Sequence, residues 1–188
     1  MEIIYVPKNE ITKAQKDMLK IVETTCFGIS SEQIMETKEV GHPFGAVELG
    51  AFLLFDDNKI VGHAFLYKRL TEYDGQAYYI GGVGGLAVIP EYRGKGYARW
   101  LTEKTLKESY DIGVDVACLF TDKEDTVYKF YEKLGFVYLN RNAYYIDSLG
   151  KEMPKDDVMI MGLKDKALAE KILATKHKFH YGEEEGCW

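Results

Sequence analysis

The stretch EYRGKGYARWL, residues 91 to 101, sets an arginine, two glycines and a lysine directly ahead of a helical pattern. The first turn of a helix carries four backbone N–H groups without internal partners, and the macrodipole adds about half a positive charge at that end. Gly94 and Gly96 remove side chains that would hold an anion off the backbone, while Arg93 and Lys95 place charge at the rim. The chemistry such a loop serves is the gripping of a phosphate or diphosphate. A plain strand-to-helix turn with surface charges has the same local pattern. The loop is neither GxGxxG nor GxxxxGK[ST], so neither a nicotinamide site nor a nucleotide hydrolase is supported.

Other residues could move protons. Tyr131 in YKFYEKLGF is a phenol on a helical stretch, and Tyr128 lies one turn earlier as a packing residue. Asp122, Glu48, His63, Asp156 and Asp157 are candidate proton acceptors, each with a plainer reading as a solvated, capping or structural residue. Cys26, Cys118 and Cys187 are odd in number and widely spaced, without a CxxC pair, so they read as incidental thiols and no metal site is expected. The tail carries Glu183, Glu184 and Glu185 before a terminal Trp188, which suits either solubility or a polycationic ligand.

The elements that must hold these groups follow from periodicity. EIIYVP reads as a strand, and residues 9 to 28 as a helix with Ile11, Met18, Ile21, Val22 and Thr25 on its core stripe. SSEQIMETKEV suggests a second, short helix. From Val47 to Val88 three strands follow, turned at DDNK and at the hairpin signal Asp74-Gly75. GYARWLTEKTLKESYD is a helix, GVDVACLFT a buried strand, and KEDTVYKFYEKLGF a helix stopped by Gly135. FVYLNRNAYYI and DDVMIMGL read as strands, and DKALAEKILATKH as a last helix. The glycines of IGGVGG suit a bulge or close approach of a substrate.

At 188 residues the chain fits one core. Its net charge of −6, from 24 basic and 30 acidic residues, disfavours nucleic acid and mildly favours cationic solutes. No apolar run is long enough to span a bilayer and MEIIYVPKNE has no secretory pattern, so a cytoplasmic protein without membrane association is expected.

Two motifs in this order resemble the GNAT N-acetyltransferase superfamily. Arg93-x-x-Gly96-x-Ala98 is similar to its [QR]-x-x-G-x-[GA] signature, and YKFYEKLGF to its second motif. The resemblance implies an α/β (α+β) acyl-CoA N-acyltransferase fold, a mixed and mainly antiparallel sheet flanked by helices. It covers residues 1–163, leaving 164–188 as a C-terminal helix and acidic tail on or near the substrate site. It implies acetyl-CoA as acetyl donor and direct attack by a primary amine in a ternary complex. By motif position, the backbone of Leu86, Ala87 and Val88 would pair with the pantetheine arm. Arg93, Gly94, Lys95, Gly96, Tyr97 and Ala98 would hold the diphosphate, and Tyr131 would serve as general acid. Two positions depart from the pattern: Gly84 stands where many members carry a glutamate, and Glu124 where an asparagine often contacts the cofactor. Homodimers are frequent in the superfamily.

A narrower resemblance, to the aminoglycoside 2'-N-acetyltransferase branch, rests on GGVGGLAVIPEYRGKGYARWL, on MPKDD and on the final tryptophan. It implies Asp122, Asp157 and Trp188 as substrate-binding residues, with Asp156 as an alternate. A CoA-binding regulatory module without turnover is the other reading, prompted by Gly84 and Glu124.

Overall fold

The computed structural model describes residues 1–28, 47–123, 126–146 and 150–181, and they fall into two compact units. The short helix expected in SSEQIMETKEV, Glu124, the acidic tail and Trp188 lie outside the described residues.

Among the described residues the first unit takes 1–28, Glu48–Leu66 and Val83–Lys107. β1 (Glu2–Pro7) runs antiparallel to β2 (Val47–Asp56), in register from Glu2↔Phe55 to Pro7↔Gly50. Next in the sheet come the first half of β3 (Lys59–Tyr73) and then the second half of β4 (Gln76–Val88). Helix α1 (Lys13–Phe27) starts later than its sequence suggests, because Thr12 and Gln15 cap each other: the Gln15 N–H donates to Thr12 Oγ1 and the Thr12 N–H to Gln15 Oε1. Its buried residues are Leu19 and Val22, with Met18 half-buried, whereas Ile21 is 65% exposed and Thr25 is exposed. Of the expected stripe, Met18 and Val22 thus face inward, Ile21 and Thr25 do not, and Leu19 takes a buried place outside it. Packing selects the face through 18, 19 and 22. Helix α2 (Tyr97–Asp111) buries Leu101, Thr102 and Thr105; the two hydroxyls donate to the carbonyls of Ala98 and Leu101 one turn back, which lets polar side chains enter the core.

The second unit takes Tyr67–Gly82 and the described residues after 107. Asp74 and Gly75 both have positive φ, 51° and 76°, as the two-residue turn joining β3 to β4 requires. β4 pairs in parallel with β5 (Val116–Phe120) at Ile80↔Val116 and Gly81↔Ala117. β5 pairs antiparallel with β9 (Val158–Gly162) over five rows, and β9 with β6 (Val137–Tyr138). β5 is buried along nearly its whole length, which explains its unbroken apolar run. Helix α4 (Lys166–Ala174), capped by Asp165 accepting from the Leu168 N–H, packs Leu168, Ala169 and Ile172 over β9 and β5.

The run FVYLNRNAYYI, expected as one strand, is two. β6 joins the large sheet and β7 (Ala143–Ile146) a small one of order β10-β7-β8, with β8 at Glu152–Lys155 and β10 at Phe179–His180. The break falls at the exposed Asn140 and Asn142 around Arg141.

Candidate functional site

β4 leads directly into the loop. After Val88 a single 3-10 turn (Pro90–Tyr92) redirects the chain, and the Ile89 N–H donates to the Val61 carbonyl at 3.0 Å, tying the turn to β3. Arg93 then reaches back: its Nε–H donates to the Val88 carbonyl at 2.8 Å and its N–H to the Pro90 carbonyl at 3.1 Å. The side chain expected as rim charge therefore also braces the loop against the strand end. Lys95 Nζ donates to the Glu91 carbonyl at 3.1 Å and sits 5.1 Å from the Tyr92 ring centroid. The Tyr92 hydroxyl in turn donates to Asp56 Oδ2 at 2.5 Å.

Gly94 and Gly96 hold φ at +73° and +85°, and a Cβ at either would meet no protein atom within 4 Å. Backbone handedness, and no neighbouring side chain, requires glycine there, so the space above both is open to a group from outside the chain. The helix ladder begins with the Trp100 N–H on the Gly96 carbonyl at 3.0 Å, which puts the N–H groups of Tyr97, Ala98 and Arg99 ahead of it. Gly94, Lys95 and Gly96 are exposed, and Tyr97 and Ala98 half-buried. In the preceding strand Ala87 and Val88 are buried and Leu86 is half-buried. A diphosphate fits this arrangement: open glycines, leading amides and adjacent cations.

The glycines of IGGVGG answer to the protein's own packing. A Cβ on Gly81 would lie 2.4 Å from the Tyr67 carbonyl oxygen, and one on Gly82 2.4 Å from that of Cys118. Gly85, at φ +54°, would press on Phe65. Neighbouring chain alone is enough to require glycine at these three.

In the second unit Tyr131 sits on α3 (Thr126–Glu132) at 6% exposure, its ring edge-on to Phe130 and Phe136 at 5.0 and 5.8 Å. Burial pushes its phenol up to about 12, so the hydroxyl keeps its proton at neutral pH. Tyr128 packs edge-on to Tyr138 at 5.9 Å and donates to Glu132, in keeping with a packing role.

The aspartates form one neighbourhood. Tyr138 donates to the Asp156 carbonyl, and its phenol is raised by burial and then by the charges of Asp156, Asp157 and Asp122. Asp157 Oδ2 lies 3.0 Å from Lys155 Nζ, while its Oδ1 is buried without a hydrogen-bond partner among the described residues. Asp122 and Asp156 are exposed. Of the remaining candidate bases, Glu48 lies 3.9 Å from Lys8, and His63 is fully buried with its ring centroid 4.7 Å from that of Phe65. Cys118 is buried, with its thiol raised by desolvation, and Cys26 is half-buried. No group of three or more metal-ligating side chains occurs among the described residues.

Residues 10–139 match the family model described as an acetyltransferase (GNAT) domain. No curated protein matches the chain in sequence at a significant level. Among solved structures, the chain resembles a GNAT family N-acetyltransferase (YhbS) from Escherichia coli in complex with CoA, at 16% identity and a TM-score of 0.62, with 95% of this chain and 87% of that one covered. It resembles the ribosomal-protein-S18-alanine N-acetyltransferase from Escherichia coli at 19% identity and a TM-score of 0.56, over 86% of this chain and 94% of that one. A GCN5-related N-acetyltransferase from Kribbella flavida gives 23% identity and a TM-score of 0.58, over 76% of this chain and 34% of that longer one. These likenesses establish the mixed, mostly antiparallel fold flanked by helices. No helix among the described residues is long and apolar enough to cross a membrane.

Proposed function

The chain belongs to the GNAT acetyltransferases, whose acyl donor is acetyl-CoA, and on that premise we propose that it acetylates a primary amine of a small, cationic acceptor by direct attack. The observation that carries the reading is the loop at 93–98, where two left-handed glycines face open space at the start of α2 and Arg93 anchors them to the end of β4. In this reading the amides of Gly94 to Ala98 bind the diphosphate, and the backbone of Leu86, Ala87 and Val88 aligns the pantetheine arm. Acetyl-CoA, when bound, supplies the thioester that the amine attacks.

Tyr131 acts at the departing sulfur. The thiolate of a thiol with a pKa near ~8.5 is a poor proton acceptor for a phenol at about 12, so the main contribution of Tyr131 is a donated hydrogen bond to the developing thiolate. A thiolate leaving into buried surroundings is itself raised, which narrows that gap. The acceptor amine must lose a proton, at a cost of about 4 to 5 kcal/mol at pH 7 for an alkylammonium near ~10.4. With Gly84 in place of a glutamate, His63 fully buried and Glu48 beside Lys8, that proton leaves to water or to the aspartate neighbourhood.

Asp122 and Asp157, with Asp156 beside them, are the proposed counter-charges for the acceptor, and Trp188 joins them in the aminoglycoside-like version of the reading. Support for a cationic acceptor comes from the aspartates' shared neighbourhood and from the net charge of −6. The test is a thiol-release assay with aminoglycosides, polyamines and peptide N-termini. Turnover on at least one cationic amine is expected, and Asp157→Asn should raise KM for that amine about tenfold at little change in KM for acetyl-CoA. Equal KM in the variant would remove Asp157 from the acceptor site.

A further inference from the structure

A second charged feature belongs to the small sheet. An open groove of about 390 Å³ lies between the start of β7 and the segment ahead of β10, lined by Arg141, Asn142, Tyr144, Lys176, His177 and Lys178. Two lysines, an arginine and a histidine line it, with no carboxylate, in a chain whose net charge is −6.

Its walls are held in place. Arg141 Nη2 donates to the Tyr73 hydroxyl at 3.1 Å and to the His177 carbonyl at 3.2 Å, and the Tyr73 hydroxyl shares a 2.5 Å hydrogen bond with Thr175 Oγ1. The guanidinium and the 175–177 segment are thus fixed around one phenol. Arg141 Nε is buried and has no hydrogen-bond partner among the described residues. Lys178 Nζ is ion-paired to Glu152 and stands 4.4 Å from the Tyr144 ring centroid. His177 Nε2 is 3.8 Å from Asp74, a carboxylate already 2.7 Å from Lys171. Arg141 and Lys176 have no carboxylate partner among the described residues.

Arg141 and Lys176 are thus two cations at one concavity without a carboxylate between them among the described residues, a pairing that suits an oxyanion. We propose that this groove is a binding site for a small oxyanion, a phosphate or carboxylate group, held by Arg141 and Lys176 with His177 and Asn142 at its edge. None of its residues belongs to the loop at 93–98, so the proposal stands apart from the acetyl-transfer reading.

The test follows backbone amides of the full-length protein by NMR while sodium phosphate, then citrate, is added at constant ionic strength. Saturable shifts at Asn142, Lys176, His177 and Lys178 are expected, with Kd at least tenfold weaker in Lys176→Gln and unchanged in Lys13→Gln on α1. Preference for phosphate or for citrate identifies the ligand's anionic group. Three outcomes would overturn the proposal: no saturable shift with either anion, equal loss in both variants, or abolition of the shifts by saturating CoA, which would return the feature to the acetyl-donor site.

Discussion

A phenol pushed up to about 12 carries two separable consequences for Tyr131. As hydrogen-bond donor to sulfur, its replacement in Tyr131→Phe is expected to lower kcat about 10²-fold while KM for acetyl-CoA stays within about twofold, as steady-state kinetics would reveal. As a buried group with a raised folded-state pKa, it contributes stability that is fully present below the ordinary phenol value near ~10 and is lost as pH rises toward about 12. Denaturation curves of wild type and Tyr131→Phe should therefore converge between those two pH values and run parallel below them. Parallel curves throughout would mean that the phenol ionises as readily folded as unfolded. Tyr131 could be singled out from the sequence only through its place in YKFYEKLGF; its burial depends on Phe130 and Phe136 closing over it, and no local pattern among fourteen tyrosines distinguishes it. Arg93 was half legible in the same sense. Its charge is plain in the sequence, whereas the Nε bond to the Val88 carbonyl depends on how the 3-10 turn folds back.

Two glycine-bearing elements divide what the fold needs from what binding needs. In the loop, Gly96→Val adds a β-branched residue at φ +85° and fills space that no protein atom occupies, so it should weaken acetyl-CoA binding more than tenfold by calorimetry. Unchanged affinity would exclude the loop from the diphosphate site. In β4, Gly82→Ala would drive a methyl against the Cys118 carbonyl, with an expected loss of about 2 to 4 kcal/mol and a fall in Tm of roughly 5–10 °C. A Tm within a degree of wild type would show that the strands yield easily. Helices with strong periodicity were readable, α2 to within one residue of its start and α4 with an end three residues too long. The strands β6 and β10, two residues each, are too short to carry a period, and β8 contains Pro154, so the small sheet is set by tertiary pairing rather than by local signal. The face of α1 was half legible for a related reason: Met18 and Val22 were placed on it, but only packing shows that Leu19 rather than Ile21 is buried beside them.

Across the whole molecule, the family and donor follow from two motifs in order, one in each compact unit, and the match over residues 10–139 agrees with them. The acceptor is not written so plainly, since carboxylates such as Asp122 and Asp156 look in sequence like any solvated surface residue. A net charge of −6 gives one expectation at this scale: raising salt should increase KM for a multiply charged amine more than for a singly charged one, because screening weakens the attraction in proportion to charge. An identical salt response for both amines would place the selectivity in shape alone. The most direct measurement is the release of free CoA from acetyl-CoA by the wild-type protein across an amine panel, against a blank without amine. Amine-dependent release that falls away in Tyr131→Phe is the expected result. Firm binding of acetyl-CoA with no release above the blank for any amine would contradict acetyl transfer and leave a coenzyme-binding module in its place.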